Sequence, residues 1–288
     1  SSRSPLPAPS PRTRANNGDN RSKKGAFPLL RFFIMDCGFK DEITTLPSAF
    51  GDTGVRVSRL FPDSPDGTHA LLLHGVHSSA NLGHRNKFRH LAEILAARGV
   101  TPWLCETGRV SVSREECDEP LAWIEESFGG KTFGEEHDDC LAALNLVLAQ
   151  KPAKLWVWGF SLGGIIALLL ACRLDVRIDR LVLSGTGLTA TPEAENIMMP
   201  MPILSTLRST VEPDMVDRVR AGEVFAFRGT EDAVFTEEAC RSLLGSIKIP
   251  DERKKFYAIE GADHSLKTRR GKHDPQIMDE MLSLMDKL

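Results

Sequence analysis

Ser161 lies in Gly159-Phe160-Ser161-Leu162-Gly163, between an apolar run with the composition of a buried strand, Leu155–Trp158, and an apolar helical run, Ile165–Cys172. A serine on a sharp strand-to-helix turn adopts strained backbone angles. Glycines two residues before and after it remove side chains that would collide there, leaving Oγ exposed. The helix that starts behind it aims backbone N–H groups at any anion forming on a substrate. Such a turn suits acyl transfer to a serine nucleophile. The hydroxyl needs a histidine to take its proton and a carboxylate to hold that histidine in one tautomer. His264 lies in Gly261-Ala262-Asp263-His264-Ser265-Leu266, directly after a β-like run at Phe256–Ile259, where a base could reach over a sheet edge. His273, beside the basic stretch Lys267 to Lys272, reads as solvated surface. Glu231 and Asp232 follow the β-like run Val224–Arg228, and three residues past Gly229 Asp232 falls at the loop tip, which favours it as the acid. Asp263 is expected to cap the next turn rather than to bond its neighbour's ring.

The anion formed during acyl transfer needs two N–H donors. One is expected from Leu162, the other from Val76, in the loop that ends the run Leu71-Leu72-Leu73-His74-Gly75. His74 is read as a loop-bonding residue. His77, Phe160, Met198, Met199 and Met201 are the candidates for a pocket or lid. His74, His77, His84 and His90 are spaced 3, 7 and 6 apart, which matches no zinc-ligand pattern, so no metal and no cofactor are expected.

These residues must be carried by a framework. From Val55 onward short β-like runs alternate with longer helix-like ones, the pattern of a mostly parallel sheet with helices on both faces. Strands are predicted at Val55–Phe61, Ala70–Leu73, Thr101–Cys105, Leu155–Trp158, Arg180–Leu183, Val224–Arg228 and Phe256–Ile259, and helical periodicity at Phe88–Leu95, Leu141–Leu148 and Ile277–Met285. Two stretches break the alternation: the charged Glu106 to Glu136, and Gly185 to Gly222 with its run Ile197-Met198-Met199-Pro200-Met201. The second is too long for a simple βα connection and predicts a small cap at about residues 186–221.

The chain has 288 residues, 41% apolar and 26% charged, with a net charge of −3. No apolar stretch approaches the roughly 18–20 residues that span a bilayer. The first 34 residues carry seven basic side chains against one acid, Asp19, so the rest of the chain carries −9. That surplus of acid argues against nucleic acid as a partner. Residues 1–34 read as a basic leader too poor in apolar groups to fold, whether a non-native leader, a targeting peptide or an arm for an anionic partner. The functional elements are expected to begin after about Asp52. Six scattered cysteines, none in a C-x-x-C pair, fit a reducing cytoplasm.

On the Gly159–Gly163 turn, the His74-Gly75 loop and the Asp232 and His264 loops, the chain over about residues 50–288 resembles the α/β-hydrolase fold superfamily. It is similar to small-cap carboxylesterases, acylglycerol lipases and the serine-aminopeptidase-like group, which includes feruloyl esterases. Lys131-Thr132-Phe133 leading into Asp138 to Leu144 resembles the helix before the nucleophile strand there. Those relatives usually carry an Arg-Gly-His-Gly-like turn where this chain reads Glu106-Thr107-Gly108-Arg109-Val110. The order serine, acid, histidine in that superfamily implies Ser161 as nucleophile, Asp232 as acid and His264 as base. It also implies an ester hydrolase acting through a covalent acyl-enzyme on short- to medium-chain acyl or aryl esters, in a domain spanning residues 35–288. An aminopeptidase-like amidase or a thioesterase on the same fold is the alternative, and a non-catalytic binding protein the third. The expected partner is a small-molecule ester, taken by a monomer or homodimer.

Overall fold

A computed structural model of the chain describes residues 38–113, 117, 119–173, 175–198, 201–207, 214–268 and 274–286. Its strands are β1 Lys40–Leu46, β2 Val55–Phe61, β3 Thr68–Leu73, β4 Thr101–Glu106, β5 Lys154–Phe160, β6 Ile178–Ser184, β7 Ala221–Gly229 and β8 Lys254–Ile259. The helices are α1 Lys87–Ala97, α2 Pro120–Phe128, α3 Phe133–Leu148, α4 Leu162–Ala171, α5 Pro192–Met198, α6 Pro202–Ser205, α7 Glu237–Ser246 and α8 Pro275–Met285. The strands form one eight-stranded sheet in the order β1-β2-β4-β3-β5-β6-β7-β8. Pairing is antiparallel for β1–β2 and β2–β4 and parallel from β4 through β8.

Period-two alternation splits the core into two halves, one on each face of the sheet. Leu71 and Leu73 of β3, Val157 of β5 and Leu181 and Leu183 of β6 pack with α3, α4, α7 and Ile203 of α6. Ala70, Leu72, Trp158, Val182, Phe225 and Phe227 face the other way and pack with α1 and α8. Each Leu buried in this way contributes roughly 1.5–3 kcal/mol. The buried Trp158 indole donates to Ser184 Oγ at 2.8 Å, so the core carries that polar group without cost.

All seven predicted strands are present, each within a few residues of its expected ends. The expectation that the functional elements begin after Asp52 is corrected by β1. Its sequence, KDEITTL, offers only Ile43 and Leu46 as aliphatic members, yet it zips along the whole of β2 from Lys40↔Phe61 to Leu46↔Val55. A polar edge strand draws its pairing from backbone rather than from an apolar run. The charged stretch Glu106 to Glu136 contains α2 and the first turn of α3. That helix begins eight residues before its visible periodicity. Thr132 and Glu135 close a capping box there, with Thr132 N donating to Glu135 Oε2 at 2.8 Å and Glu135 N to Thr132 Oγ1 at 3.3 Å. The insert at about 186–221 carries α5, α6 and a 3₁₀ turn, Met215–Arg218. Met201 is half-buried against the α3–α4 side of the core. Met199 and the side chain of Met198 lie outside the described residues, as do residues 1–37. Among the described residues no helix is long and apolar enough to cross a membrane, and the five described cysteines are free thiols.

His69 of β3 is buried and accepts from the Trp103 indole N–H through Nδ1 at 3.3 Å. Burial first, and the Arg59 cation second, push its pKa down to about 4. Between pH 6.5 and 4 the unfolded ring takes a proton that the folded ring refuses, so stability is full above pH 6.5 and falls as pH drops towards 4. The loss reaches about 3 kcal/mol. Urea unfolding at pH 7.5 and 4.5 reads this difference, and His69→Gln, which keeps an acceptor for Trp103, is expected to flatten it.

Candidate active site

The turn after β5 is built as the glycine spacing requires. Ser161 sits at φ 53°, ψ −118°, in the left-handed half of backbone space that side chains avoid. Two neighbours hold it there: Ser161 N–H donates to the Ser184 carbonyl at 2.8 Å, and Thr186 Oγ1 donates to the Ser161 carbonyl at 3.3 Å. A Cβ on Gly159 would stand 2.1 Å from the Gly163 carbonyl oxygen, and one on Gly163 would stand 2.4 Å from the His74 carbonyl oxygen. No side chain fits at either position.

Parallel β7 and β8 bring their C-terminal loops to the same edge as this turn. Ser161 Oγ lies 3.0 Å from His264 Nε2, and His264 Nδ1 lies 3.0 Å from Asp232 Oδ2 and 3.1 Å from Oδ1. A carboxylate can only accept, so Nδ1 carries the ring proton and Nε2 is left with a lone pair for the serine proton. The Asp232 side chain is fully buried, and that of His264 is 23% exposed. Asp232 Oδ1 also accepts from Val234 N–H at 2.8 Å and Phe235 N–H at 3.1 Å. Burial alone would raise this carboxyl, but the His264 hydrogen bond, the His264 ring itself and the two backbone donors outweigh it and hold it below its ordinary value. Gly185, at φ +57°, lets β6 end against the ring; a Cβ there would lie 3.3 Å from His264 Nδ1.

A family model for the alpha/beta hydrolase fold matches residues 117–221. No curated protein matches the sequence. Among solved structures the chain is similar to a cold-adapted esterase from an Arctic intertidal metagenomic library, with TM-score 0.58 and 17% identity over 88% of this chain and 98% of that one. A dienelactone hydrolase from Anabaena variabilis gives TM-score 0.54 and 17% identity over 86% and 99%. Est1E from Butyrivibrio proteoclasticus, solved with ferulic acid bound, gives 0.56 and 15% over 89% and 98%. The chain has the α/β-hydrolase fold.

In this hydrolase fold the loop after β3 presses against the turn: a Cβ on Gly75 would stand 3.2 Å from Ser161 Cβ. Among the described residues neither Val76 N–H nor Leu162 N–H has an acceptor. His74, buried, meets the Gly75 carbonyl through Nδ1 at 2.7 Å and Thr107 through Nε2, with N–H at 3.3 Å and Oγ1 at 3.2 Å. His77, at φ 49°, lies with its ring 5.1 Å from that of Phe128. Phe160, expected near a pocket, is instead buried on the α1 face, edge-on to Phe88 at 4.9 Å and stacked on Trp158 at 5.9 Å. Asp263 caps the following turn through Lys267 N–H at 2.8 Å. Glu231 is exposed, and His273 lies outside the described residues. His84 is exposed beside Arg89, and His90 faces Asp279 at 3.6 Å. Among the described residues no three His, Cys, Asp or Glu side chains gather as a metal site.

Two cations escaped sequence reasoning. Arg228, at the end of β7, donates to the Asp232 carbonyl at 3.0 Å and the Phe235 carbonyl at 2.8 Å, bracketing the loop that presents Asp232 to His264. Lys87, first residue of α1, donates to the Ser265 carbonyl at 2.7 Å with its amine 4.2 Å from the Phe160 ring centre. Burial first and Lys267 second bring that amine down to about 7. Neither has a local sequence signal, because each acts on a carbonyl.

Proposed function

We propose that this chain is a serine hydrolase that cleaves carboxylic esters of short- to medium-chain acyl or aryl type through a covalent acyl-enzyme. The observation that carries the proposal is the continuous hydrogen-bonded line from Ser161 Oγ through His264 to the buried Asp232. Ser161 Oγ attacks the ester carbonyl as its proton passes to His264 Nε2, and Asp232 stabilises the imidazolium that results. The oxyanion is met by the N–H groups of Val76 and Leu162. Collapse expels the alcohol, which takes the proton from Nε2. Water then repeats the sequence on the acyl-enzyme, with His264 as base, and releases the acid and free Ser161. Esterases and a dienelactone hydrolase with the same fold support hydrolysis as the reaction class. The unit assigned to this chemistry is residues 35–288, with the insert at about 186–221 as its cap.

A fluorophosphonate probe followed by peptide mapping is expected to label Ser161. Matched p-nitrophenyl ester, anilide and thioester substrates are expected to rank with the ester first. A preference for the anilide or thioester would move the assignment to an amidase or thioesterase, and absence of both labelling and turnover would leave a binding protein.

A further inference from the structure

Behind the loop that touches Ser161 lies a buried ionic cluster that the proposed reaction does not use. The side chains of Lys131, Glu136 and Asp139 are 0%, 2% and 3% exposed. Lys131 Nζ is ion-paired with Glu136 Oε2 at 2.6 Å and donates to Asp139 Oδ2 at 3.0 Å and the Gly108 carbonyl at 2.6 Å. Asp139 Oδ2 also takes the Gly108 N–H at 2.9 Å, so this pair grips both backbone groups of one residue. Gly108 has no freedom to yield, since a Cβ there would meet Ser48 Oγ at 2.2 Å. Burial would lower Lys131 and raise Glu136, but their mutual attraction, with Asp139 on the lysine and His74 on the glutamate, wins in both cases and keeps both ions charged.

The cluster reaches the reacting end through His74. Thr107, the residue before Gly108, meets His74 Nε2 with both its N–H and its hydroxyl. Glu136 Oε1 faces His74 Nδ1 at 3.9 Å. Nδ1 in turn holds the Gly75 carbonyl at 2.7 Å. The Gly75 carbonyl and the Val76 N–H belong to one planar trans peptide and point in opposite directions. Whatever fixes the carbonyl on the buried side therefore aims the N–H on the other.

We propose that Lys131, with Glu136 and Asp139, is a positioning group for the oxyanion donor: through Gly108, Thr107 and His74 it sets the plane of the Gly75–Val76 peptide. This inference rests on the ester-hydrolase reading of the site. A buried ion cluster gains little for stability over apolar side chains of the same size, because desolvation consumes most of its attraction. Orientation of a neighbouring backbone is what such a cluster does and apolar packing does not.

The test is the full chain carrying Lys131→Met, Glu136→Gln and Asp139→Asn together, which removes every charge at nearly constant volume and keeps acceptors for Gly108 N–H. Its melting temperature is expected to stay at or above that of the parent. Its kcat for a p-nitrophenyl ester is expected to fall about ten- to a hundredfold with KM within about twofold, part of the 10²–10³ lost when an oxyanion donor is deleted outright. Affinity for a phenylboronic acid, whose serine adduct places an oxygen in the same hole, is expected to fall in proportion to kcat. Thr107→Val, isosteric and lacking only the hydroxyl, is expected to give a several-fold loss in kcat with the same KM, and carries the test if the triple variant does not fold. Unchanged kcat and boronate affinity in a folded variant, or a change confined to KM, would overturn the inference while leaving the ester-hydrolase reading intact. A parent chain with neither turnover nor fluorophosphonate labelling would remove that reading, and this inference with it.

Discussion

Ser161→Ala is expected to abolish ester turnover in a folded protein. The nucleophile, base and acid act as a unit, so removing the attacking oxygen costs about as much as removing all three, on the order of 10⁴–10⁶ in kcat. What is then expected to remain is the slow attack of water on an ester held against the proposed donors, the Val76 and Leu162 N–H groups. The substitution adds no atom to the turn and leaves the Ser161 N–H bond to Ser184 in place, so circular dichroism and the melting temperature should match the parent. Turnover of p-nitrophenyl butyrate by purified Ser161→Ala at the parental rate would sink the assignment of the nucleophile.

Asp232→Asn is expected to lower kcat by about 10⁴ with little change in fold. The Val234 and Phe235 N–H groups demand an acceptor at the Oδ1 position. The new amide therefore sets its oxygen there and its NH₂ at the Oδ2 position, 3.0 Å from His264 Nδ1. Two donors then face each other. The ring escapes by moving its proton to Nε2, where it points at Ser161 Oγ and can no longer accept, and the negative charge that would stabilise the imidazolium is gone as well. Glu231→Gln, one residue earlier and exposed, serves as the control and is expected to stay within about twofold of the parent. A comparable loss in Glu231→Gln would mean the wrong carboxylate has been assigned to His264.

The parts of this site that were legible in the sequence are those with a local signature. Ser161 stands in a strand-turn-helix with glycines two residues before and two residues after it and apolar runs on either side, and Asp232 and His264 follow soon after the β-like runs Val224–Arg228 and Phe256–Ile259. Phe160 shows where such reasoning stops. Its neighbour points out of the sheet edge, and strand alternation sends its own ring into the opposite half of the core, onto Phe88. The supporting residues had no local signature at all. Lys131, Glu136 and Asp139 fall where the charged stretch Glu106 to Glu136 meets the following helix, with nothing local to mark them as buried, and only the close packing of α3 on the loop after β4 turns them inward, where Lys131 finds Gly108 across 23 residues. Arg228 reads as the polar end of a strand, and its two carbonyl partners are set by the shape of a loop. Strand β1 was hidden for a related reason: its buried positions are the polar Asp41 and Thr44, its two aliphatic members Ile43 and Leu46 are only half-buried, and no apolar alternation registers.

The order of the sheet has a consequence for how the molecule becomes active. From β3 outward the strands are laid down in chain order, β3-β5-β6-β7-β8, and each parallel pairing closes a long loop before it is rewarded. The proposed nucleophile Ser161 depends on β5 and α4, the proposed acid Asp232 on β7, and the proposed base His264 on β8, the outermost strand. A chain arrested with its apolar layers already collapsed would hold Ser161 in its turn and have nothing to deprotonate it. During refolding, recovery of the proposed hydrolysis therefore requires that edge strand to have docked, which the burial of Trp158 on β5 does not by itself report.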